Sequence, residues 1–312
     1  MGSIQQYVSQ LRIGDAQTYK NLALVPLFGA RNGLEYLVLD EAVNQRLQVL
    51  ETDQVPLLKL KNESGKRVLI MQGEYVAGGK QNRMFTHNML LAPGFEGNVP
   101  VNCVQHGRWH YQGEKSFTSS GQRGHTSVRR ATREGQGAVW RDVEEFTSVR
   151  RVSSPSGNLD DTYQQKQQEM TDYLTKYSCP TEAVGIVAVS LQQNKKAYGV
   201  DIFDQPGTLA KNFKKLVDSY VIEAIIGGKE IKPKQEEVQL FLNDIASTKQ
   251  EEKVGVSLGK EALLRGNLSE GVALLFENTP VYINAYNLTE GAQQAEALPA
   301  VRTGLSRRVL SR

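Results

Sequence analysis

The densest group of side chains that could do chemistry surrounds a pair of adjacent glycines. Gln72-Gly73-Glu74 precedes Gly78-Gly79, and Lys80-Gln81-Asn82-Arg83 follows them directly. Adjacent glycines let the backbone approach a ligand and aim N–H groups at an anion, to which Lys80 and Arg83 add positive charge. The spacing departs from the Walker phosphate loop, because Gly73 lies one residue too far from Gly79 and Gln81 stands where Ser or Thr holds magnesium. A phosphate-binding loop and an ordinary glycine hairpin remain as two interpretations.

A second group, between Pro100 and His110, combines an arginine and a tryptophan at the end of a predicted strand. Arg108 and Trp109 could clamp a phosphate and stack on a base or sugar ring. Cys103 could be a nucleophile, with His106 or His110 as its base. The flanking valines instead favour a buried and inert Cys103, which is the commoner state of a free cysteine.

Histidines and further carboxylates supply the remaining candidates. The four histidines all lie within 39 consecutive residues: His87, His106, His110 and His125. Together with Cys103 or Glu74 they could ligate zinc, or iron in a cupin-like barrel. Their spacing is not diagnostic, so no metal ligand is assigned. Asp201 and Asp204 flank the end of a predicted strand, where a carboxylate can act as a base or only organise a turn. Glu74 and Asp201 are the candidate catalytic acid or base.

The composition is that of a folded protein and excludes several classes. The 312 residues are 39% hydrophobic and 23% charged, which rules out disordered, collagen-like and coiled-coil chains. No stretch approaches the ~18 uncharged apolar residues of a membrane-spanning helix, and residues 1–10 lack the apolar core of an export signal. Two cysteines, Cys103 and Cys179, cannot form a disulfide framework, so a cytoplasmic location is expected.

Positive charge is concentrated in one central segment and at the C-terminal end. The net charge is only +3, but residues 103–151 hold nine basic residues against five acidic ones, and four arginines follow between residues 302 and 312. Arginine suits the planar recognition of phosphate or carboxylate. The low net charge and the lack of interleaved aromatic residues disfavour nucleic acid as the partner.

The order of apolar runs and turn signals predicts an α+β protein. Short alternating runs between glycine and proline turns predict a β-rich region over residues 1–112, barrel-like or sandwich-like, with one short helix near 41–51. Residues 113–138 are predicted to form an exposed basic loop. Residues 139–290 are predicted to complete the same domain or a second, closely packed one, with helices at 159–177, 209–225 and 235–246. The basic tail, residues 291–312, is predicted to be disordered.

Several of these segments, in this order and spacing, resemble the domain family named for its association with ADP-ribosylglycohydrolases and rhodanese-phosphatases. The resemblance covers about residues 19–224 and is carried by Gln72-Gly73-Glu74, Gln81-Asn82-Arg83, Pro100-Val101-x-Cys103-Val104-x-x-Gly107-Arg108-Trp109, Gln136-Gly137-Ala138-Val139-Trp140, Ser154-Pro155-Ser156-Gly157 and Val184-Gly185-Ile186 leading to Asp201-x-Phe203. It implies a module of NAD or ADP-ribose metabolism, a context inferred for the family from its gene and domain neighbours.

The resemblance also implies that one site joins residues from distant parts of the chain, namely Glu74, Gln81, Asn82, Arg83, Cys103, Arg108, Trp109 and Asp201. In the family pattern an acidic residue commonly follows Cys-Val, whereas this chain has Gln105, which cannot act as a general base. The resemblance therefore implies either binding without turnover or an acid-base role for Glu74 or Asp201.

The leading hypothesis is an α+β protein that binds, and could hydrolyse, a phosphorylated nucleotide-like small molecule. Arg83 and Arg108 would hold phosphate, Gln81 and Asn82 would contact hydroxyl groups or base edges, and Trp109 would stack. A non-catalytic binding or scaffolding module and a cupin-like metalloenzyme are the alternatives. The sequence does not distinguish catalysis from binding, and it identifies neither a cofactor nor the oligomeric state.

Overall fold

The computed structural model describes residues 3–111, 116–192 and 195–288. The predicted basic tail, residues 291–312, lies outside the described residues, as do residues 113–115 of the predicted loop. No helix within the described ranges is long and apolar enough to cross a membrane.

Eight helices and eighteen strands form over the described ranges. The helices are α1 (Ser3–Ser9), α2 (Leu39–Asn44), α3 (Thr126–Ala131), α4 (Gln136–Val149), α5 (Leu159–Gln165), α6 (Gln167–Leu174), α7 (Pro206–Ala224) and α8 (Gln235–Ala246). The first strands are β1 (Arg12–Ile13), β2 (Gln17–Tyr19), β3 (Leu22–Phe28), β4 (Leu37–Val38), β5 (Leu47–Glu51), β6 (Leu57–Asn62), β7 (Val68–Ile70), β8 (Glu74–Gly78), β9 (Arg83–Phe85), β10 (Met89–Leu91) and β11 (Glu96–Cys103). The later strands are β12 (Phe117–Arg123), β13 (Gly185–Gln192), β14 (Lys195–Phe203), β15 (Lys249–Val254), β16 (Lys260–Arg265), β17 (Ser269–Phe276) and β18 (Thr279–Asn287).

Nine of these strands form one antiparallel sheet whose two faces are both covered. The order is β1-β3-β13-β14-β18-β17-β16-β15, and β2 also pairs with β3. Alternate side chains of β13 enter different cores, with Ile186 on one face and Val187 on the other. Helices α1 and α8 cover the Val187 face through residues such as Ile4 and Phe241. A strand buried on both faces is apolar along its length, which explains the continuous run over residues 184–189.

Two smaller sheets form a third core in the first half of the chain. Strands β12-β8-β9-β11-β6-β5 make a six-stranded sheet, and β10-β7-β4 make a three-stranded one. Their apolar side chains, including Leu60, Val76 and Phe85, pack into one cluster with α2. This arrangement confirms the predicted α+β fold with a β-rich first half and helices contributed by the middle and C-terminal segments.

The largest core joins both halves of the chain around α7. It contains Met71 and Tyr75 from the β-rich region together with Val139, Phe203 and Leu216. In addition, β1–β3 belong to the same sheet as strands from residues 185–287. The region over residues 1–112 therefore shares both a core and a sheet with the region over residues 139–290.

Three local predictions differ from the structure. The helix predicted at 41–51 is shorter and gives way to β5, and the helix predicted at 159–177 is interrupted at Lys166 into α5 and α6. The segment predicted as an exposed basic loop instead forms β12 and α3, and it buries Arg123 and Arg129 completely. Charged side chains are usually exposed unless a partner of opposite charge is buried with them. Both of these arginines lie close to the buried Asp201.

Candidate functional site

The two stretches that carried the predicted ligand-binding residues meet on neighbouring strands. Cys103 of β11 lies directly opposite Arg83 of β9. Arg83 Nη1 donates to Cys103 Sγ at 2.7 Å and to Gln81 Oε1 at 2.9 Å. The Trp109 ring covers the same guanidinium, with its centroid 5.4 Å from Arg83 Cζ. We call this arrangement of Gln81, Asn82, Arg83, Cys103, Arg108 and Trp109 the Trp109 site.

Arg83 has fewer acceptors than its guanidinium can use. Its Nε and Nη2 atoms are buried and have no hydrogen-bond partner among the described residues. Glu51 Oε1, which is likewise buried and unpartnered, lies 3.7 Å from Arg83 Nη2, beyond hydrogen-bond range. A hydroxyl or phosphate oxygen beside this pair would satisfy donors that the protein leaves unused.

Trp109 closes the site towards solvent. The residue is 45% exposed. Lys80 Nζ lies 5.3 Å from the Trp109 ring centroid and 2.6 Å from Asp53 Oδ1. The cover over Arg83 is therefore one half-exposed aromatic ring that lies against two cations, Lys80 and Arg83.

Arg108 serves the protein itself. Its Nη1 donates to the carbonyls of Gly79 and His110, its Nη2 to the carbonyl of Gly78 and to Asn82 Oδ1, and its Nε to Gln105 Oε1. With every nitrogen engaged, the guanidinium fixes the glycine turn between β8 and β9. Arg108 is thus placed in the predicted site, where it holds the turn that presents Lys80.

Gln81 and Asn82 are engaged in the same way. Gln81 Nε2 donates to the Gln105 carbonyl at 2.8 Å, while its Oε1 accepts from Arg83 and Cys103. Asn82 Nδ2 donates to Asn158 Oδ1 and Asp160 Oδ2, both at 3.2 Å, and links the strand to α5. Both amides orient the site from within the protein.

An acid in place of Gln105 would lie against Arg108. Burial lowers the pKa of Arg108 and the nearby Arg83 lowers it further, and Glu51 offsets only part of this effect. We expect Gln105→Glu to raise the free energy of unfolding by about 1 kcal/mol, since Arg108 would then donate to a charged carboxylate instead of a neutral amide oxygen, while the weak bond to Ser156 is lost. Urea unfolding at pH 7 measures the change. Gln105→Leu should destabilise, and a loss of stability in Gln105→Glu would contradict the expectation.

Cys103, His106 and His87 each contact other side chains of the protein. Burial raises the pKa of Cys103 to about 11, so the thiol is protonated at neutral pH and donates to Gln81 Oε1. The His106 ring packs against Trp140 at 4.3 Å between centroids, and His87 Nε2 lies 3.8 Å from Glu261. No group of three or more His, Cys, Asp or Glu side chains within the described part of the chain could hold a metal ion.

Glu74 lies outside the Trp109 site, in a buried ion pair with α7. Its Oε1 accepts from Lys215 Nζ at 2.7 Å and its Oε2 from the Met71 backbone N–H at 2.7 Å. Lys215 Nζ also contacts Asp40 Oδ2 at 2.6 Å. Glu74 is 1% exposed, so its carboxylate has no free access to solvent in this conformation.

Asp201 lies in a different buried cluster. Arg123 Nη1 donates to its Oδ1 at 2.6 Å, the Tyr220 hydroxyl donates to its Oδ2 at 2.6 Å, and the Tyr282 hydroxyl donates to Oδ1. Burial raises the pKa of Asp201, but Arg123, Arg129 and the two hydroxyls outweigh that effect and lower it overall. The structure therefore brings the six ligand-binding candidates together and keeps Glu74 and Asp201 apart from them. Their catalytic role stays a prediction.

Sequence reasoning missed two groups of polar residues. Within the described residues Glu51 forms an ion pair with Arg83, and the pairing of β5 with β6 and of β6 with β11 brings it to this part of the sheet. The second group lines a cleft of about 800 Å³ beside α3, α4 and α7 and includes Asp142. Burial raises the pKa of Asp142 to about 7. The i, i+3 spacing of Asp142 and Glu145 on α4 was a signal for that cleft.

Asp142 has a histidine neighbour that serves as a helix cap. His125 Nε2 lies 3.4 Å from Asp142 Oδ1. His125 Nδ1 accepts from the Val128 backbone N–H at the start of α3, and burial lowers the pKa of the ring well below its usual range. The imidazole is therefore neutral, and its Nδ1 lone pair is used by the helix rather than available as a base.

Comparison with known proteins adds a family match to this geometry. A family model described as the ARG and Rhodanese-Phosphatase-superfamily-associated Protein domain matches residues 10–286. Neither the curated proteins nor the solved structures gave a significant match.

Proposed function

The chain belongs to the ARG and Rhodanese-Phosphatase-superfamily-associated Protein domain family, and on that basis we propose that its Trp109 site binds a phosphorylated, nucleotide-like small molecule of NAD or ADP-ribose metabolism. The family name associates the domain with ADP-ribosylglycohydrolases and rhodanese-phosphatases. It supports only the context of NAD or ADP-ribose metabolism. The observation that carries the proposal is Arg83, a buried guanidinium with two unpartnered nitrogens beneath the half-exposed Trp109 ring.

Each part of the ligand has a chemical counterpart in the proposed site. A base would stack on Trp109, and Lys80 would neutralise a phosphate at the rim. With the ring turned aside, a ribose hydroxyl or phosphate oxygen would accept from Arg83 Nη2, and a hydroxyl would also donate to Glu51 Oε1. The side chains that contact the ligand would be held in place by the rest of the site, namely Gln81, Asn82, Cys103 and Arg108.

We expect ADP-ribose to bind the wild-type protein in calorimetry and Arg83→Met to weaken that binding by roughly ten- to a hundredfold. The lost charge-assisted hydrogen bonds are worth ~1.5–3 kcal/mol, which corresponds to that factor. Methionine keeps most of the buried volume, and the melting temperature of the variant shows whether the fold survives. Trp109→Ala should lose a similar factor and Trp109→Phe should recover most of it, since phenylalanine also stacks.

The matched control is Arg31→Met, whose side chain is 60% exposed and far from any predicted site residue in sequence. It should leave the affinity unchanged. The binding proposal fails if ADP-ribose, AMP and ribose 5-phosphate all leave the wild-type protein without heat of binding. It also fails if folded Arg83→Met and Trp109→Ala bind as tightly as the wild type.

Hydrolysis is a separate proposal that needs a carboxylate at the bound ligand. Glu51 lies beside Arg83 of the Trp109 site, with its Oε1 atom 3.7 Å from Arg83 Nη2 and without a hydrogen-bond partner among the described residues. Glu74 and Asp201 are held in ion pairs elsewhere. Mass spectrometry of ADP-ribose after incubation with the protein detects turnover. Product formation that disappears in Glu51→Gln would assign the acid or base to Glu51. Loss of product formation in Asp201→Asn alone would instead support the predicted catalytic role of Asp201.

A further inference from the structure

Two fully buried arginines share one carboxylate where β12, α3, β14 and β18 meet. Arg123 Nη1 lies 2.6 Å from Asp201 Oδ1, and Arg129 Nη1 lies 3.9 Å from the same oxygen. All three side chains are 0% exposed. No other Asp or Glu within the described residues forms an ion pair with either arginine, so the cluster carries one buried positive charge in excess.

The donors of this cluster outnumber its acceptors. Arg123 Nη2 and the Nε and Nη1 atoms of Arg129 are buried without a hydrogen-bond partner among the described residues. Both Asp201 oxygens are already occupied by Arg123, Tyr220 and Tyr282. A buried charge and unpaired N–H groups are costly unless something compensates them.

Aromatic rings supply part of the compensation. Arg129 Cζ lies 5.1 Å from the centroid of the Tyr286 ring and 5.7 Å from that of Tyr220. Ring faces attract a cation but do not replace an acceptor in the plane of the guanidinium. The unpartnered nitrogens of two arginines therefore still point to a missing negative group.

We propose that the Arg123–Arg129 cluster binds one small monovalent anion of the chloride type. A small anion is favoured because Arg123, Arg129 and Asp201 are all 0% exposed. Gly73 packs on the aliphatic part of Arg129, where an added Cβ atom would lie 2.6 Å from Arg129 Cγ and Cδ. Tyr220 lines a cleft of about 800 Å³ and Tyr286 a second cleft of about 720 Å³, so each of the two rings beside Arg129 also borders a cleft. This site is independent of the Trp109 site.

The test is thermal unfolding in sodium chloride against sodium gluconate at equal ionic strength. A ligand that binds only the folded state raises the melting temperature, by about 4 °C for a chain of this length when chloride reaches a hundred times its Kd. Arg129→Met should remove this chloride dependence. Arg130→Met is the matched control, since Arg130 is the next residue of α3 and pairs with Glu270 at 3.1 Å, and it should keep the dependence.

Bromide soaked into crystals of the wild-type protein gives a second measurement that needs no variant. An anomalous peak within hydrogen-bond distance of Arg123 Nη2 and Arg129 is the expected result. Equal melting temperatures in the two salts together with no bromide peak at the cluster would overturn the proposal. An unchanged chloride dependence in folded Arg129→Met would overturn it as well.

Discussion

Asp201→Asn should lower the free energy of unfolding by about 3–5 kcal/mol, which is the usual cost of removing one partner of a buried ion pair. The asparagine keeps the shape of the side chain but leaves Arg123 and Arg129 without a carboxylate in a fully buried place. Urea unfolding in chloride-free buffer at pH 7 measures the loss. A change below about 1 kcal/mol would show that the pair contributes little.

A double variant separates the charge effect from lost packing. Asp201→Asn with Arg129→Met removes one positive charge along with the negative one, so it should recover part of the stability lost in Asp201→Asn alone. The matched surface control is Lys61→Met, because Lys61 and its partner Glu63 are both 38% exposed. An exposed pair of this kind contributes little, so Lys61→Met should unfold at nearly the same urea concentration as the wild type.

The pH dependence has a defined sign. The pKa of Asp201 is lower in the folded protein than in the unfolded chain, so its contribution to stability is present above the unfolded value and is lost as the pH falls through the folded value. The difference between wild type and Asp201→Asn should therefore stay constant through neutral pH. It should shrink only below about pH 4, near the ordinary aspartate pKa.

The sequence predicts those parts of this fold that depend on local pattern. The apolar stripe from Leu209 to Ile225 and the proline before it predict α7, and the structure has that helix at Pro206–Ala224. Alternation and turn residues likewise predict a β-rich first half. The break at Lys166 was not predicted, because a mid-helix break leaves the apolar spacing of both shorter helices intact.

Pairing between distant charges could not be predicted. Arg123 and Arg129 have the polarity of an exposed loop, and only the register that puts Arg123 opposite Glu74 on β8 brings them into the interior near Asp201. The meeting of Arg83 with Cys103 was expected from the family resemblance. Which of those polar groups keep unused hydrogen-bonding capacity depends on side-chain direction, and that is fixed by packing rather than by residue type.

Lys215→Met should also cost about 3–5 kcal/mol of unfolding free energy, because it leaves the Glu74 carboxylate buried without its cation. Burial lowers the pKa of Lys215, but Glu74 and Asp40 outweigh it and raise the pKa overall. The stabilisation from Lys215 is thus complete below the unfolded pKa near 10.4 and is lost as the pH rises through the higher folded pKa. Lys211→Met is the matched control on the same helix, with a side chain 44% exposed, and should cost at most about 1 kcal/mol.

The double variant Lys215→Met with Glu74→Leu decides what Glu74 does. Replacing a buried ion pair with apolar side chains of similar volume is often neutral or stabilising, so stability should return to within about 1 kcal/mol of the wild type. If the refolded double variant both binds ADP-ribose and turns it over as the wild type does, Glu74 acts only by holding β8 against α7. If it binds normally but loses a turnover that the wild type shows, the predicted acid-base role of Glu74 gains direct support, because protein stability would no longer account for the loss.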